Sequence, residues 1–124
     1  MAAVDAGPMT KHVRAIAIEH ARSRAIEGET YIVLANFTEQ GIRNVKDSPQ
    51  RADAFKEMAK KTGATVKDVF WTLGQYDAVA IVEAPDDASA TALGLSVAKV
   101  GNIRTQTLRA FSAADMKNIL GKVS

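Results

Sequence analysis

The chain has 124 residues, of which 47% are apolar, 24% charged and 6% aromatic, the proportions of one globular domain rather than of a disordered chain. Sixteen Lys and Arg against fourteen Asp and Glu leave a formal charge of +2, and the two signs are interspersed, which argues against a nucleic-acid surface. The absence of Cys excludes disulfides, thiolate catalysis and Cys-ligated metal centres and suits a reducing, cytoplasmic setting. No apolar run approaches the ~20 residues of a membrane span, so no membrane partner is expected.

Residues 1–29 read as an extension, helical or disordered in part, and residues 30–124 as the folded domain. Val13, Ile16, Ala17 and Ala21 share one face of a possible helix from Lys11 to Ile26, which Gly28 would end. The stretch lacks the continuous apolar run of a secretory signal. Arg14, Arg22 and Arg24 suggest a transit peptide, but Glu19, Glu27 and Glu29 oppose it, and Met9 is an alternative start.

Thr30 to Phe37 is β-branched and aromatic and predicts a strand. Tyr31, Val33, Ala35 and Phe37 alternate with Ile32 and Leu34, so both of its faces are apolar and call for cover. A short helical piece follows, with Ile42 and Val45 as its apolar contacts. Pro49 is expected to open a second helix with Ser48 as N-cap. Its inward stripe is Ala52, Phe55, Met58, Ala59 and Thr62, and Gly63 closes it. Thr65 to Thr72 and Asp77 to Ala84 predict two more strands, joined by Leu73-Gly74-Gln75-Tyr76 as a hairpin turn with Gly74 at positive φ. The later of the two is again apolar on both faces. Asp86 and Asp87 favour a helix start, and that helix carries no charge from Ala88 to Ala98, which implies cover on more than one side. Ile103 to Phe111 predicts the last strand. Ser112 and Asp115 form a capping-box pattern for a last helix that turns Met116, Ile119 and Leu120 inward.

The order strand, helix, strand, strand, helix, strand gives an α+β, ferredoxin-like βαββαβ fold with a four-stranded antiparallel sheet and a C-terminal helix. Right-handed crossovers place the first and third strands in the centre. Those are the strands apolar on both sides, and helices cover only one side of such a sheet. Each aliphatic side chain buried on the other side contributes about 1.5–3 kcal/mol. The economical cover is a second copy of the same sheet, a homodimer of the dimeric α/β barrel type or a larger homo-oligomer.

Several separated motifs resemble the GYD domain family: Val33 to Phe37, Gly41-Ile-Arg-Asn44, Lys46-Asp-Ser-Pro49, Arg51-Ala-Asp53, Trp71-Thr-Leu-Gly-Gln-Tyr-Asp77, Val82-Glu-Ala-Pro-Asp86, and Gly101 to Phe111. The naming motif carries Gln75 between Gly74 and Tyr76-Asp77. The resemblance runs from Tyr31 to Leu120. It implies a ferredoxin-like fold that associates through its sheets, and no general reaction.

Trp71 and Tyr76 are candidate ligand-binding residues as an apolar wall with a polar handle, and Asp77 with Tyr76 would be the proton-transfer pair of an enzyme. The same residues also read as a turn, with Gly74 supplying the unusual φ, Asp77 bonding turn amides and Tyr76 packing over the hairpin. Arg104 and Arg109, five positions apart on one strand, point to opposite faces. One of them would clamp a small anion in the intersheet space, or pair with Asp68, Asp77 or Glu83. Asn36 and Thr38 would add polar groups there, or simply end the strand. Asp47-Ser48-Pro49 and Asp86-Asp87 are explained by capping. His12 and His20 alone make a poor metal site, so neither metal nor cofactor is expected. Phosphate-binding glycine loops are absent, and with no His beyond residue 20 the domain cannot supply the imidazole of a Ser-His-Asp triad, nor a haem ligand barring Tyr.

Three readings follow. The first is a non-enzymatic oligomeric module that binds a small anionic or aromatic molecule, or regulates. The second is a cofactor-independent monooxygenase or isomerase using the intersheet cleft, which rests on fold analogy. The third is a purely structural assembly unit built on the charge-free helix.

Overall fold

The computed structural model describes residues 28–124. The helix expected from Lys11 to Ile26, His12 and His20 all lie outside the described residues. In chain order the elements are β1 (Glu29–Phe37), α1 (Glu39–Arg43), a 3-10 turn (Val45–Asp47), α2 (Ser48–Lys61), β2 (Thr65–Trp71), β3 (Ala78–Ala84), α3 (Asp87–Val100), β4 (Ile103–Ala110) and α4 (Ala113–Leu120). The strands form one antiparallel sheet in the order β2-β3-β1-β4. This is the α+β, ferredoxin-like arrangement expected from the sequence, with β1 and β3 central.

Register decides which side chains share a side. Tyr31 faces Val82 and Val33 faces Ala80 across the β1–β3 ladder. These residues join Ala59 of α2 and Ala90, Leu93 and Val97 of α3 in one buried core. The intervening pairs, Ile32 with Ile81 and Leu34 with Val79, lie on the other side of the sheet and are only half-buried. Among the described residues, both helices therefore cover one side, and no element covers the other.

Local chemistry sets most of the boundaries. Asp86 accepts the Ser89 amide at 2.8 Å and caps α3, and Gly101 ends it at φ 96°. Ser112 and Asp115 close the expected capping box at α4. At α2 the expectation needs correction. Ser48 is already helical, at φ −61° and ψ −34°, because the 3-10 turn runs straight into the helix. Asp47 is the N-cap, with no side-chain bond, and Pro49 sits in the first turn.

Two packing expectations also change. Ile42 and Val45 are exposed, and Gly41 is the buried residue of α1, because its backbone rather than an apolar side chain meets the α3–β4 connection. Met116 and Leu120 are exposed and Ile119 is half-buried, since α4 follows the edge strand and buries no residue. Among the described residues, α3 is covered on a single side and Leu95 is 67% exposed. At the opposite edge, the β2–β3 register shifts between Val66 and Asp68, a bulge that contains Lys67, whose ammonium lies 3.8 Å from Glu83.

Candidate functional site

The connection between β2 and β3 carries the sharpest local motif. Thr72 donates its amide to the Asp77 carbonyl at 2.9 Å and its hydroxyl to the Tyr76 carbonyl at 2.6 Å, which ties the turn across its base. Gly74 sits at φ 123° with no atom within 4 Å of a would-be Cβ, so the glycine answers to backbone conformation and not to crowding. Asp77 donates its amide to the Ala35 carbonyl at 2.9 Å and accepts the Phe37 amide on Oδ2 at 2.8 Å. Its carboxylate thus ends β1 instead of bonding the amides of its own turn.

Tyr76 donates its hydroxyl to Gln106 Oε1 at 3.1 Å. Gln106 stands opposite Leu34 in the β1–β4 ladder, so Tyr76 reaches over the open side of the sheet. Asn36 stands opposite Arg104 on that same side. Asn36, Tyr76 and Arg104 are therefore neighbours at one end of the open side, beside an apolar field of Ile32, Leu34, Val79 and Ile81.

Trp71 is not with them. It pairs with Ala78, in phase with buried Ala80, and so lies on the helix side. There it borders a crevice of about 150 Å3 between α2 and the sheet, together with Val33, Phe55, Met58 and Val69. Arg51 and Asn102 stand at the same crevice. Trp71 and Tyr76 cannot form one wall, although only five positions separate them. Sequence reading placed Phe55 and Met58 in the core stripe and missed the space beside them. The available signal was the set of small residues, Ala52, Ala78 and Ala80, on facing elements.

Arg109 also lies on the helix side, opposite Tyr31. Its guanidinium pairs with the Glu29 carboxylate and donates to the Ala110 carbonyl. It stacks 4.6 Å from the Phe111 ring centre and 5.8 Å from that of Tyr31. Arg104 is therefore the arginine on the open side, and Arg109 is paired with Glu29 on the other. Tyr31 donates its hydroxyl to Asp87 Oδ1 at 2.5 Å. Burial, reinforced by that acceptor, pushes the phenol up to about 12. Thr38 caps α1 by accepting the Gly41 amide at 3.1 Å and donates its hydroxyl to the Gly101 carbonyl at 2.6 Å.

Among the described residues no group of three or more His, Cys, Asp or Glu is placed to hold a metal ion. No helix among them is long and apolar enough to cross a membrane.

Three comparisons with known proteins bear on this geometry. A Thermus thermophilus protein named as a glutamine synthetase and cystathionine beta-lyase binding protein is 34% identical over 88 residues, covering 70% of this chain and 93% of its own. The crystal structure of TTHA0845, from the same organism, is similar with a TM-score of 0.46 and 25% identity, over 68% of this chain and 95% of that one. The family model described as GYD domain matches residues 31–120, the stretch that runs from the buried tyrosine of β1 through the Gly74–Asp77 turn to the end of α4. With most of its length matched in this way, the chain belongs to the GYD domain family.

Proposed function

We propose that the chain is a non-enzymatic, self-associating module that pairs through the open sides of two sheets, as in a dimeric α/β barrel, and regulates a partner protein by docking to it. One observation carries the reading. Ile32, Leu34, Val79 and Ile81 occupy the open side of the two central strands, and Phe70, 54% exposed, and Leu108 extend it onto the edges. Each aliphatic side chain taken out of water there contributes about 1.5–3 kcal/mol. Asn36, Tyr76, Gln106 and Arg104 supply the polar rim that a protein interface has around its apolar centre. The name of the Thermus thermophilus relative, a protein that binds glutamine synthetase and cystathionine beta-lyase, supports the docking half.

A catalytic role draws less support. The carboxylate of Asp77 holds the Phe37 amide, and the hydroxyl of Tyr76 is engaged by Gln106. The uncovered flank of α3 around Leu95 suits assembly beyond a dimer. We take residues 30–124 as the functional unit, preceded by an extension, in a cytoplasmic setting that fits the absence of Cys.

Sedimentation equilibrium at low micromolar concentration tests the assembly. The expected mass is that of two or more chains, and Ile81→Lys, which places a charge at the centre of the open side, lowers it to one. A monomeric wild-type protein refutes the pairing. Calorimetric titration against glutamine synthetase from the same cells tests the docking, and the absence of saturable heat refutes it for that partner.

A further inference from the structure

We propose that the crevice between α2 and the sheet binds a small aromatic carboxylate, its ring among Val33, Phe55, Met58, Val69 and Trp71 and its carboxylate at Arg51. The proposal goes beyond the sheet-to-sheet assembly and does not depend on it, because the crevice lies on the helix side.

The space arises from small residues. Ala52 of α2 and Ala78 and Ala80 of β3 all line it, and their small side chains accompany about 150 Å3 of open space where a close-packed interior would have none. That volume sets the size of the guest. It is well below the ~300 Å3 of pockets for drug-sized ligands. An engineered apolar cavity of about 150 Å3 in another protein stays dry and takes up benzene. A single ring therefore fits. Trp71 is 48% exposed at the border of the space, and a guest seated there would cover part of its indole.

Charge sets the other half of the guest. Arg51 is half-buried and fixed at the same crevice, with Nη1 donating to the Asn44 carbonyl at 2.7 Å and Nη2 to the Gly41 carbonyl at 3.5 Å. No carboxylate among the described residues lies within ion-pair distance of it. A guanidinium carries five N–H donors, so donors remain for a planar anion. A cation already ordered by the backbone gives up little further freedom on binding, which favours a bidentate carboxylate. Ser48 and Asn102 border the same crevice with polar groups.

The test is a titration with phenylacetate, with 2-phenylethanol as its neutral counterpart. Trp71 is the single tryptophan, so its emission reports the site directly. The wild-type protein is expected to saturate with phenylacetate at a dissociation constant on the order of 0.1–1 mM, the range open to a ligand of this size. Arg51→Gln weakens phenylacetate at least tenfold and leaves 2-phenylethanol unchanged. The neutral ligand thereby confirms that the variant keeps its crevice. Ala52→Leu fills the space and removes both ligands while far-ultraviolet circular dichroism stays native. Any of three results overturns the proposal: no saturation of wild type, equal effects on both ligands in a folded Arg51→Gln variant, or undiminished binding by Ala52→Leu. Amide shifts that cluster at Ile32, Leu34 and Val79, on the open side, would do so too.

Discussion

A methyl group added at Gly41 tests how the start of α1 is held. A Cβ at this position would lie 2.0 Å from the carbonyl oxygen of Asn102, against about 3.4 Å for an ordinary contact, so one of the two backbones must retreat by about 1.4 Å. The retreat pulls on two hydrogen bonds between the same segments. The Thr38 amide donates to the Asn102 carbonyl at 3.0 Å, and the Thr38 hydroxyl donates to the Gly101 carbonyl at 2.6 Å. Overpacking costs roughly 1–3 kcal/mol and the two weakened bonds about 1 kcal/mol each. Alanine's helix preference over glycine returns only about 1 kcal/mol. The expected net loss for Gly41→Ala is therefore on the order of 2–4 kcal/mol, a fall in Tm of roughly 10–20 °C for a domain of this size. Gly94→Ala is the matched control. Its Cβ would meet Thr105 Oγ1 at 3.9 Å, an ordinary contact inside α3, so the helix preference acts alone and stability rises by roughly 0.5–1 kcal/mol. Urea unfolding followed by circular dichroism at one fixed protein concentration measures both. Shifts of the same sign, or a loss under about 0.5 kcal/mol for Gly41→Ala, would refute the reasoning.

Leu93, 2% exposed at the centre of the core, is expected to cost roughly 2–5 kcal/mol on truncation to alanine, as read by the same unfolding assay. Asp77→Ala strips the Phe37 amide of its acceptor and is expected to lower stability by roughly 1–3 kcal/mol. Amide exchange at Phe37 should then accelerate ahead of that at Val33, and unchanged exchange would count against the role given to the carboxylate. Tyr31 predicts an alkaline signature. Folding raises its phenol from 10.0 to about 12 and so favours the protonated form. Its stabilising contribution is complete below pH 10 and is lost as the pH climbs through 12. Absorbance at 295 nm should show a late tyrosinate step that Tyr31→Phe removes, and indistinguishable curves would refute it.

The sheet was legible because its signal is local. The alternation from Tyr31 to Phe37 and the apolar run from Ala78 to Val82 mark two strands with two apolar sides, and these are the two central strands of the sheet. The caps at Asp86 and Ser112 and the positive φ of Gly74 depend on residues a few positions apart, and they were readable for the same reason. What depended on distant partners was not. Arg109 meets Glu29 only because β4 lies beside β1, and Tyr31 reaches Asp87 across 56 positions of sequence. Trp71 and Tyr76 looked like a pair in the chain. Trp71 still belongs to the β2 ladder, whereas Tyr76 follows the turn, and the two end on opposite sides of the sheet. The crevice was invisible because it is made by what Ala52, Ala78 and Ala80 leave empty, and a missing volume has no periodicity.

The irregularity at Lys67 governs how this protein can grow. Outer strands present unsatisfied peptide groups that invite lateral stacking into fibrils. On β2 the misaligned stretch between Val66 and Asp68 breaks that template, and the lysine at the break adds charge repulsion against an incoming copy. Deleting Lys67, which would straighten the strand, removes both safeguards and is expected to let copies stack edge to edge along β2.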